Sequence, residues 1–412
     1  MIQKDIIIIG AGPAGLAAAI EAKKNGMEDV LVIEREAVPG GILNQCIHDG
    51  FGLIKFNEAL TGPEYAGRYV EEAKKLNVEI MTKAMVLDLN SKREVTVVSP
   101  SGLQVYSAGA VILAMGCRER TRGAISIPGT RPAGVFTAGV AQHLVNLKNI
   151  MIGKKVVILG SGDIGLIMAR RLTLEGAEVI AVLEKLPYSS GLPRNITQCL
   201  EDYDIPLLLS HTVINIEGKE RVKSVTTAKV DDRGEVIRGT TRKIECDTLI
   251  LSVGLIPENE LSLNAEVILD EVTSGASVDE DLQTNIPGIF ACGNVLQVHD
   301  LVDHVSSEGE RAAKAAVNFV RGTRGDHTQA VSVKSGDKVR YILPQRISGK
   351  KDVIFSMRVT EPLRDKKVIF RCGLQKIKSF SMKNLNPAEM IRLKLKAQEL
   401  EGLQELEVCI GE

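Results

Sequence analysis

Short apolar runs alternate with polar and glycine-rich segments along this chain, and their lengths predict an α/β protein. Ile6 to Ile9 and Val30 to Ile33 have the length and composition of fully buried parallel strands. Alanines and leucine at helical spacing fill the stretch between them, which predicts a helix with one buried side. Val156 to Leu159 and Val179 to Leu183 frame a second stretch of the same kind. Two strand–helix–strand units are therefore predicted.

An apolar strand that ends in glycine closes each unit. Ala110 to Ala114 leads to Gly116, and Thr248 to Val253 leads to Gly254. Residues 39–52 are rich in glycine, which predicts a loop. The other predicted elements of this part are helices over Pro63–Leu76, Gly139–Leu147 and the segment beyond Val305, and strands over Val78–Met81, Val86–Leu89, Glu94–Ser99, Gln104–Ser107, Val213–Ile216, Val222–Val230 and Glu235–Glu245.

The pattern changes after Gly325. Residues 331–384 alternate polar and apolar positions with frequent Lys and Arg, which predicts strands. A helix is predicted over Pro387–Glu399 and a last strand over Leu406–Ile410. This segment is a small α+β appendix, whose basic strands form either a solvated sheet face or a docking surface for a partner subunit.

Each of the two units carries a glycine triad followed by an acid. The first triad is Gly10, Gly12 and Gly15, with Glu34 at the end of the next strand. The second is Gly160, Gly162 and Gly165, with Glu184 at the same interval. Two such fingerprints in one chain predict that two dinucleotides bind at once. The alternative is a pair of nucleotide-free units whose glycines serve packing alone.

The spacing has a physical basis. The first glycine permits a tight turn, the second lets the backbone approach a pyrophosphate, and the third lets the helix lie against the sheet. The helix N-terminus offers N–H groups to phosphates, and the acid accepts hydrogen bonds from ribose hydroxyls. The predicted cofactor residues of the two units are Gly10, Gly12, Pro13, Ala14, Gly15 and Glu34, and Gly160, Gly162, Asp163, Ile164, Gly165 and Glu184.

Composition narrows the class of protein. With 412 residues the chain is long enough for two or three domains. A formal net charge of −1 gives no basic field, so we expect no nucleic-acid partner. None of the seven cysteines stands in a C-x-x-C pair, which argues against a disulfide framework, zinc or iron–sulfur ligation and indicates a reducing cytoplasm. No apolar run reaches the ~20 residues of a membrane span, so we expect a soluble protein without a cleaved leader.

Over residues 4–325 the chain resembles the pyridine nucleotide–disulfide oxidoreductase superfamily of flavoproteins. The resemblance is carried by both fingerprints, Val111–Gly116, Asp247–Pro257 and Thr284–Asn294. It implies two Rossmann-like three-layer domains, the first binding FAD and the second, inserted into it, binding NAD(H). The implied boundaries are 1–117 and 278–325 for the FAD domain, 150–257 for the NAD domain, 118–149 and 258–277 for connectors, and 330–412 for a C-terminal α+β partner-docking domain.

The resemblance also implies further cofactor residues. The late strand before Gly293 and Asn294 returns to the FAD domain, and the helix after it points its N-terminus at the flavin ring. Those two residues are then expected near the ribityl and pyrophosphate portion of FAD. The remaining implied residues are Arg35, Gly41 and Gly116 for FAD and Gly254 for NAD.

Two departures from the superfamily change the expected chemistry. The redox-active cysteine pair is missing, since only Cys46 follows Gly40 and Gly41. Asn294 stands where relatives usually have Asp, although an amide still bonds a ribityl hydroxyl. The tract Gly116–Arg120 through Gly139 is similar to the nicotinamide-facing subunits of sarcosine oxidase, opine oxidase and hydrogen cyanide synthase, and to the flavoprotein of anaerobic glycerol-3-phosphate dehydrogenases. Those relatives often carry a four-cysteine cluster site, whereas the tail here has only Cys372 and Cys409.

Several polar residues have a chemical and a structural interpretation. Cys46 is either a flavin-adjacent catalytic thiol or an unreactive loop cysteine, and His48 is a candidate donor to flavin or substrate. No metal site is expected: the group His299, Asp300, Asp303 and His304 shapes the loop and caps the helix in preference to binding metal. Glu184 favours NAD over NADP, a preference that Lys185, Arg170 and Arg171 would soften. The connector arginines Arg118, Arg120 and Arg122 either contact FAD phosphates or a subunit boundary, or are solvated.

These observations predict an FAD-dependent NAD(H) oxidoreductase that transfers a hydride between nicotinamide and flavin. By resemblance it is an oligomer-forming subunit of a larger dehydrogenase, with glycerol 3-phosphate as the leading substrate, and it passes electrons to a partner subunit or small acceptor. The alternatives are a stand-alone single-cysteine NADH peroxidase or persulfide reductase that uses Cys46, and a non-catalytic nucleotide-binding scaffold.

Overall fold

The computed structural model describes residues 1–323 and 331–412. The expected boundaries at residues 325 and 330 lie outside these ranges. The chain forms two compact units: unit 1 comprises Met1–Cys117 with Pro257–Glu412, and unit 2 comprises Arg118–Ile256.

The elements follow in chain order. Unit 1 begins with β1 (Ile2–Ile9), α1 (Pro13–Lys24), β2 (Val30–Ile33), a 3₁₀ helix (Gly41–Gln45), α2 (Gly62–Lys75), β3 (Glu79–Met81), β4 (Met85–Leu89), β5 (Glu94–Ser99) and β6 (Gly102–Leu113). The next elements, through unit 2, are β7 (Cys117–Glu119), β8 (Val135–Thr137), α3 (Ala138–Lys148), β9 (Lys155–Leu159), α4 (Asp163–Leu174), β10 (Glu178–Glu184), α5 (Pro193–Cys199), a 3₁₀ helix (Glu201–Tyr203), β11 (Leu207–Leu209), β12 (His211–Gly218), β13 (Val222–Lys229), β14 (Arg242–Glu245), β15 (Thr248–Leu251) and β16 (Leu255–Pro257). Unit 1 then resumes with α6 (Glu260–Asn264), β17 (Ile289–Ala291), a 3₁₀ helix (Gly293–Val295), α7 (Val302–Val320), β18 (Val331–Ser335), β19 (Val339–Leu343), β20 (Arg346–Ile347), β21 (Val353–Val359), β22 (Leu363–Cys372), β23 (Gln375–Leu385), β24 (Ile391–Leu395), α8 (Ala397–Leu400) and β25 (Glu405–Gly411).

The main sheet of unit 1 has the strand order β3-β2-β1-β6-β5-β4, with β17 also paired to β6. Strands β1, β2, β3 and β17 run parallel to their neighbours, whereas β4, β5 and β6 form an antiparallel meander. The sequence predicts two strands within residues 104–114, but the chain forms one long β6. Its first half pairs with β5 and its second half with β17, while β1 pairs along most of its other edge.

Small residues let two helices approach this sheet closely. Strand β1 buries Ile6 to Ile9 completely or nearly so, as a parallel strand covered on both faces requires. Helices α1 and α7 pack on each other along buried alanines and on β1 and β6. At their crossing a Cβ on Gly309 would lie 2.2 Å from the carbonyl oxygen of Ala14, so only glycine fits.

Unit 2 contains a five-stranded parallel sheet in the order β11-β10-β9-β15-β8. A separate antiparallel sheet joins β12, β13 and β14. The strand predicted over 235–245 is confined to Arg242–Glu245, because Asp231 to Thr240 form turns held by the Asp231 and Thr240 side chains. Strands β7 and β16 pair where the chain enters and leaves this unit.

The appendix consists of two sheets, β20-β18-β25-β22-β23 and β19-β21-β24, around a core that includes Phe355 and Phe370. The helix predicted over 387–399 is wrong. Residues 391–395 instead form β24, which pairs antiparallel with β21, and only Ala397–Leu400 are helical. Burial of Ile391 and Leu395 in the core of the appendix outweighs the local helical preference. Two appendix residues, Tyr341 and Leu343, pack in the core of the first sheet.

Candidate functional site

The first glycine triad forms a cradle at the start of α1. Gly10 has a φ of +103°, and a Cβ there would lie 2.5 Å from the carbonyl oxygen of Ala114. A Cβ on Gly15 would lie 1.9 Å from the oxygen of Gly10. Gly12, in contrast, faces no atom within 4 Å and leads into Pro13 as the first helical residue. Packing therefore requires Gly10 and Gly15, whereas the open space over Gly12 suits a phosphate group at the helix N-terminus.

Glu34 lies beside this cradle. It is buried, and its Oε2 accepts the N–H of Ala11 at 2.7 Å while Oε1 accepts the N–H of Glu36 at 2.8 Å. Only one hydrogen bond to each oxygen is used in these contacts, which leaves acceptor capacity for ribose hydroxyls. Arg35, the adjacent candidate, is exposed.

The glycine-rich loop closes over the same cradle. Gly40 donates its N–H to the carbonyl of Ala11 at 2.8 Å, and a Cβ on Gly41 would come within 3.0 Å of the Cα of Gly12. Residues 41–45 then form a 3₁₀ helix, where the sequence predicts only a loop. Gly116 follows β6 with a φ of +74°. Gly41 is thus in direct contact with the predicted phosphate site.

Gly293 and Asn294 lie in the 3₁₀ helix that precedes α7, and Gly293 faces Ala14 of the first cradle. The N–H of Gly293 donates to Oε2 of Glu308 at 2.7 Å, and a Cβ on Gly293 would meet that of Ala14 at 2.9 Å. The Oδ1 of Asn294 accepts the N–H of His299 at 3.0 Å, so its amide nitrogen is the group that remains to donate to a ligand.

Glu308 anchors a buried polar cluster that sequence reasoning missed. Its carboxylate also accepts hydrogen bonds from Nε2 of His299 at 3.0 Å and from Nε2 of Gln297 at 2.8 Å. Burial by itself raises the pKa of Glu308, but His299, Arg311 and Gln297 outweigh it and hold the pKa at about 2. Nδ1 of His299 and Oε1 of Gln297 find no hydrogen-bond partner among the residues that the structure describes. Cofactor hydroxyls would satisfy both atoms.

The four residues considered for metal binding do not converge on a common point. Asp300 accepts the N–H of Met390, Asp303 accepts the N–H of Lys55, and His304 contacts Arg392. Within residues 1–323 and 331–412 no group of three or more His, Cys, Asp or Glu side chains is arranged to hold a metal ion.

The second cradle, in unit 2, has a glycine turn like that of the first, but Ser252 lies against all three of its glycines. Gly160 has a φ of +96°, and a Cβ there would lie 2.0 Å from the oxygen of Ser252. Ser252 Oγ accepts the N–H of Gly165 at 3.1 Å, and a Cβ on Gly162 would come within 3.1 Å of the same oxygen. Ser252 follows the closing strand β15 and thereby fixes the turn. Sequence reasoning did not identify it.

Glu184 is held more firmly than Glu34. Its Oε2 accepts hydrogen bonds from the Ser161 N–H at 3.0 Å, the Ser161 hydroxyl at 2.5 Å and the Ser190 hydroxyl at 2.9 Å, and Oε1 accepts the N–H of Leu186 at 3.0 Å. The serines place a negative charge at the end of β10, where an adenine ribose is expected.

The other unit 2 candidates have separate surroundings. Asp163 accepts hydrogen bonds from the Leu192 N–H at 2.8 Å and from Asn195 Nδ2 at 2.7 Å, so its carboxylate holds the loop before α5. Ile164 is half-buried in the first turn of α4. Gly254 is exposed with a φ of +105°, and its carbonyl accepts the N–H of Arg120 at 3.0 Å.

Cys46 and His48 lie in the loop of the first cradle. The Cys46 Sγ donates to the carbonyl of Ile42 at 3.3 Å, and burial raises the pKa of the thiol to about 12. A thiol with this pKa stays protonated at neutral pH, which disfavours a nucleophilic role. The His48 ring packs at 5.0 Å from that of Phe51.

The connector arginines do not behave alike. Arg122 is buried and donates to the carbonyls of Ile127, Pro128 and Thr130, which explains it as a structural residue. Arg118 and Arg120 are more exposed.

Both cradles fit a dinucleotide. Both have a glycine turn without room for a side chain and a buried carboxylate within hydrogen-bond distance of that turn, and the first also has open space at the helix N-terminus over Gly12. Bound FAD and nicotinamide would supply the two-electron chemistry, while the protein residues bind and orient them. In the described residues no helix is long and apolar enough to cross a membrane.

Known proteins share this arrangement. The chain is 29% identical to thioredoxin reductase of Listeria monocytogenes over 294 residues, which cover 71% of this chain and 85% of that protein. It is 29% identical to one of the opine oxidase subunits of Agrobacterium tumefaciens over 354 residues, covering 80% of this chain and 68% of that protein. The crystal structure of T. acidophilum thioredoxin reductase superposes with a TM-score of 0.64 at 23% identity, covering 77% of this chain and 99% of that one.

The family model for pyridine nucleotide-disulphide oxidoreductases matches residues 4–317, which include both cradles. FAD and NAD(P)H are the cofactors of this family, in agreement with the geometry of the two sites. The chain belongs to the pyridine nucleotide-disulphide oxidoreductase family and is an FAD-dependent NAD(P)H oxidoreductase.

Proposed function

We propose that this chain is the NAD(H)-facing flavoprotein subunit of a multi-subunit dehydrogenase. It transfers a hydride between NAD(H) and FAD, and a partner subunit or small acceptor exchanges electrons with the flavin. The observation that carries the proposal is the state of the cysteines. All seven lie in the described parts of the chain and none of them forms a disulfide, and burial raises the pKa of Cys46 in the glycine-rich loop.

A chain with both nucleotide cradles and no internal dithiol needs an acceptor outside itself. The similarity to an opine oxidase component, whose name makes it part of a larger oxidase, supports a partner subunit. The likeness of the tract around Gly116–Arg120 to glycerol-3-phosphate dehydrogenase flavoproteins supports glycerol 3-phosphate as the substrate of the complex. Because none of the cysteines forms a disulfide, we propose the reducing cytoplasm as the location of the protein.

An anaerobic titration of the purified protein tests the proposal. NADH should bleach the flavin band near roughly 450 nm, and NADPH should do so less effectively, because Glu184 opposes a 2′-phosphate. Bleaching by neither nucleotide would sink the proposal and favour a scaffold.

The acceptor is tested separately. Steady-state NADH oxidation should be fast with a one-electron dye and slow with hydrogen peroxide, persulfide or thioredoxin. Cys46→Ser should leave the dye reaction unchanged. If Cys46→Ser abolished a fast peroxide- or persulfide-dependent reaction, the chain would be a single-cysteine reductase instead.

A further inference from the structure

A basic hairpin forms one edge of the appendix. It consists of residues 363–385, which comprise β22, its turn and β23, and it contains seven Lys and Arg residues against one Asp. Strand β23 is the last strand in the order β20-β18-β25-β22-β23, and among the described residues no further strand pairs with its outer edge. The basic hairpin therefore concentrates positive charge at an open edge of a sheet.

The outer face of the basic hairpin combines charge with an exposed apolar side chain. Phe370 is buried in the core of the appendix, so the next residue of β22, Arg371, points to the opposite face. Arg371 pairs in register with Lys376 of β23, close to the turn. Lys376 and Lys383 are exposed, and Leu374 in the turn is fully exposed.

A surface of the opposite charge lies in α6 and the turns that follow it. This acidic segment, residues 258–274, contains five Asp and Glu residues and no Lys or Arg. Three of its apolar side chains are more than half exposed, those of Leu263, Ile268 and Val272. Glu266 and Glu271, which alternate with them along the chain, are exposed too. Exposed apolar side chains grouped among charged ones indicate an interaction surface.

The two surfaces lie at opposite edges of one sheet. Gln345, which precedes β20, donates through Nε2 to Oδ2 of Asp270 in the acidic segment at 3.5 Å. Strand β20 is the first strand of the sheet whose last strand is β23. Four strand spacings, about 19 Å in total, separate these two edges, which is more than a lysine side chain spans. The sheet therefore keeps the basic hairpin of a chain apart from the acidic segment of the same chain.

We propose that the basic hairpin docks on the acidic segment of a second copy of this chain. Leu374 then packs on the exposed apolar side chains of the segment, while Lys376 and Lys383 pair with Glu266 and Glu271. Because each copy carries both surfaces, two copies bind each other reciprocally and close into a dimer with two-fold symmetry.

The chemistry of both surfaces favours a second copy over a membrane. The two surfaces are complementary in charge, and each has apolar side chains that the other covers. An anionic membrane would bind the basic hairpin but leave the apolar side chains of the acidic segment in water. The dimer goes beyond the proposed function, because its formation does not depend on which nucleotide reduces the flavin.

Charge reversal tests the interface in the full chain with FAD bound. In analytical ultracentrifugation the unaltered protein should be a dimer at about 50 mM salt, and its dissociation constant should rise with salt as the charges are screened. The hairpin variant is Lys376→Glu with Lys383→Glu, and the segment variant is Glu266→Lys with Glu271→Lys. Each variant alone should raise the dissociation constant at least about a hundredfold, because like charges then face each other.

A mixture of the two variants separates a direct contact from an indirect effect. In the mixed dimer the acidic hairpin of one chain faces the basic segment of the other, and the remaining pair of surfaces is unaltered. An equimolar mixture should therefore dimerise with a dissociation constant within about tenfold of the unaltered value.

Two further variants support the assignment. Leu374→Ser should weaken the dimer at least about tenfold, since it removes apolar area from both contacts. Lys148→Glu with Lys394→Glu changes the net charge as much as the hairpin variant does, but both residues lie outside the two surfaces. This control should leave dimerisation unchanged. Retained FAD and an unchanged far-ultraviolet circular dichroism spectrum show that a variant is folded.

The proposal is overturned if the unaltered protein is monomeric at about 0.1 mM, if both charge-reversed variants stay dimeric, or if their mixture stays monomeric. A monomer that binds vesicles of phosphatidylcholine with phosphatidylserine, but not vesicles of phosphatidylcholine alone, would instead assign the hairpin to an anionic membrane. None of these measurements uses NADH. Failure of the proposed function, seen as no bleaching by NADH, is therefore distinguishable from failure of this inference.

Discussion

The carboxylate of Glu308 accepts the backbone N–H of Gly293 at 2.7 Å, joining the second turn of α7 to the turn that follows β17. The same carboxylate binds His299 and Gln297, so one buried charge organises the segment between the turn and the helix. Its charge has a consequence for stability in acid.

The pKa of Glu308 falls from its ordinary value of 4.5 to about 2 in the folded protein. A carboxyl with a depressed folded pKa stabilises the native state fully above its unfolded pKa, and that stabilisation is lost as the pH falls toward the folded value. Glu308→Gln should therefore remove up to about 3 kcal/mol of stability at pH 6. Urea unfolding at pH 6 and pH 3 measures it. The difference between variant and parent should shrink at pH 3, and an equal difference at both values would contradict the assignment.

The two glycines of the first cradle should respond differently to alanine. Gly15→Ala forces a Cβ to 1.9 Å from the oxygen of Gly10 and should lower the melting temperature of the apoprotein. Gly12→Ala meets no atom within 4 Å, so the apoprotein should melt normally while its affinity for FAD falls at least about tenfold. Differential scanning fluorimetry and FAD titration separate the effects. Normal FAD binding by Gly12→Ala would place the pyrophosphate elsewhere.

Glu184 should set the choice between NADH and NADPH. Glu184→Gln keeps the shape of the side chain but removes the charge that a 2′-phosphate would meet. The ratio of kcat/KM for NADPH to that for NADH should rise roughly tenfold, equivalent to about 1.4 kcal/mol. Asp163→Asn is the control, because Asp163 bonds Leu192 and Asn195 and should leave the ratio unchanged. An unchanged ratio in Glu184→Gln would show that another group selects the nucleotide.

The appendix should be necessary for tight FAD binding. Leu343 is buried in the core of the first sheet, whereas Met357 is buried in the core of the appendix itself. Leu343→Ala and Met357→Ala should each cost about 2–5 kcal/mol in stability. Only Leu343→Ala should also increase the rate of flavin loss at temperatures where both variants are folded, because it loosens the packing of the appendix on the core of the first sheet. Equal rates would mean that the flavin site does not depend on the appendix.

The sequence pattern predicted those structural features that depend on residues close together in the chain. The glycine triads, both acids and most strands of the nucleotide units follow from periodicity and spacing, because a tight turn and a buried parallel strand each restrict nearby residues. The contacts of Glu308, Ser252 and Arg392 do not follow, since each joins segments distant in sequence. The hydrogen bond from Ser190 to Glu184 is different, because the two residues are only six positions apart and their proximity could be predicted from the sequence.

The prediction of a helix over 387–399 is wrong for the same reason, a contact between segments that are distant in sequence. Alanine, glutamate and lysine there favour a helix locally, yet the pairing of β24 with β21 decides the outcome. That pairing also places Arg392 beside His304 in the first turn of α7, so the segment wrongly predicted as a helix makes a contact with the nucleotide unit.

The pairing of β7 with β16 means that residues 118–256 begin and end side by side, with the N–H of Arg120 donating to Gly254 at 3.0 Å. On the other side of this junction the N–H of Glu258 donates to Gly116 at 3.1 Å. An insertion whose two ends adjoin imposes little loop-closure cost on its host. The chain therefore enters and leaves unit 2 at adjacent positions, so the insertion of residues 118–256 places little constraint on the fold of unit 1.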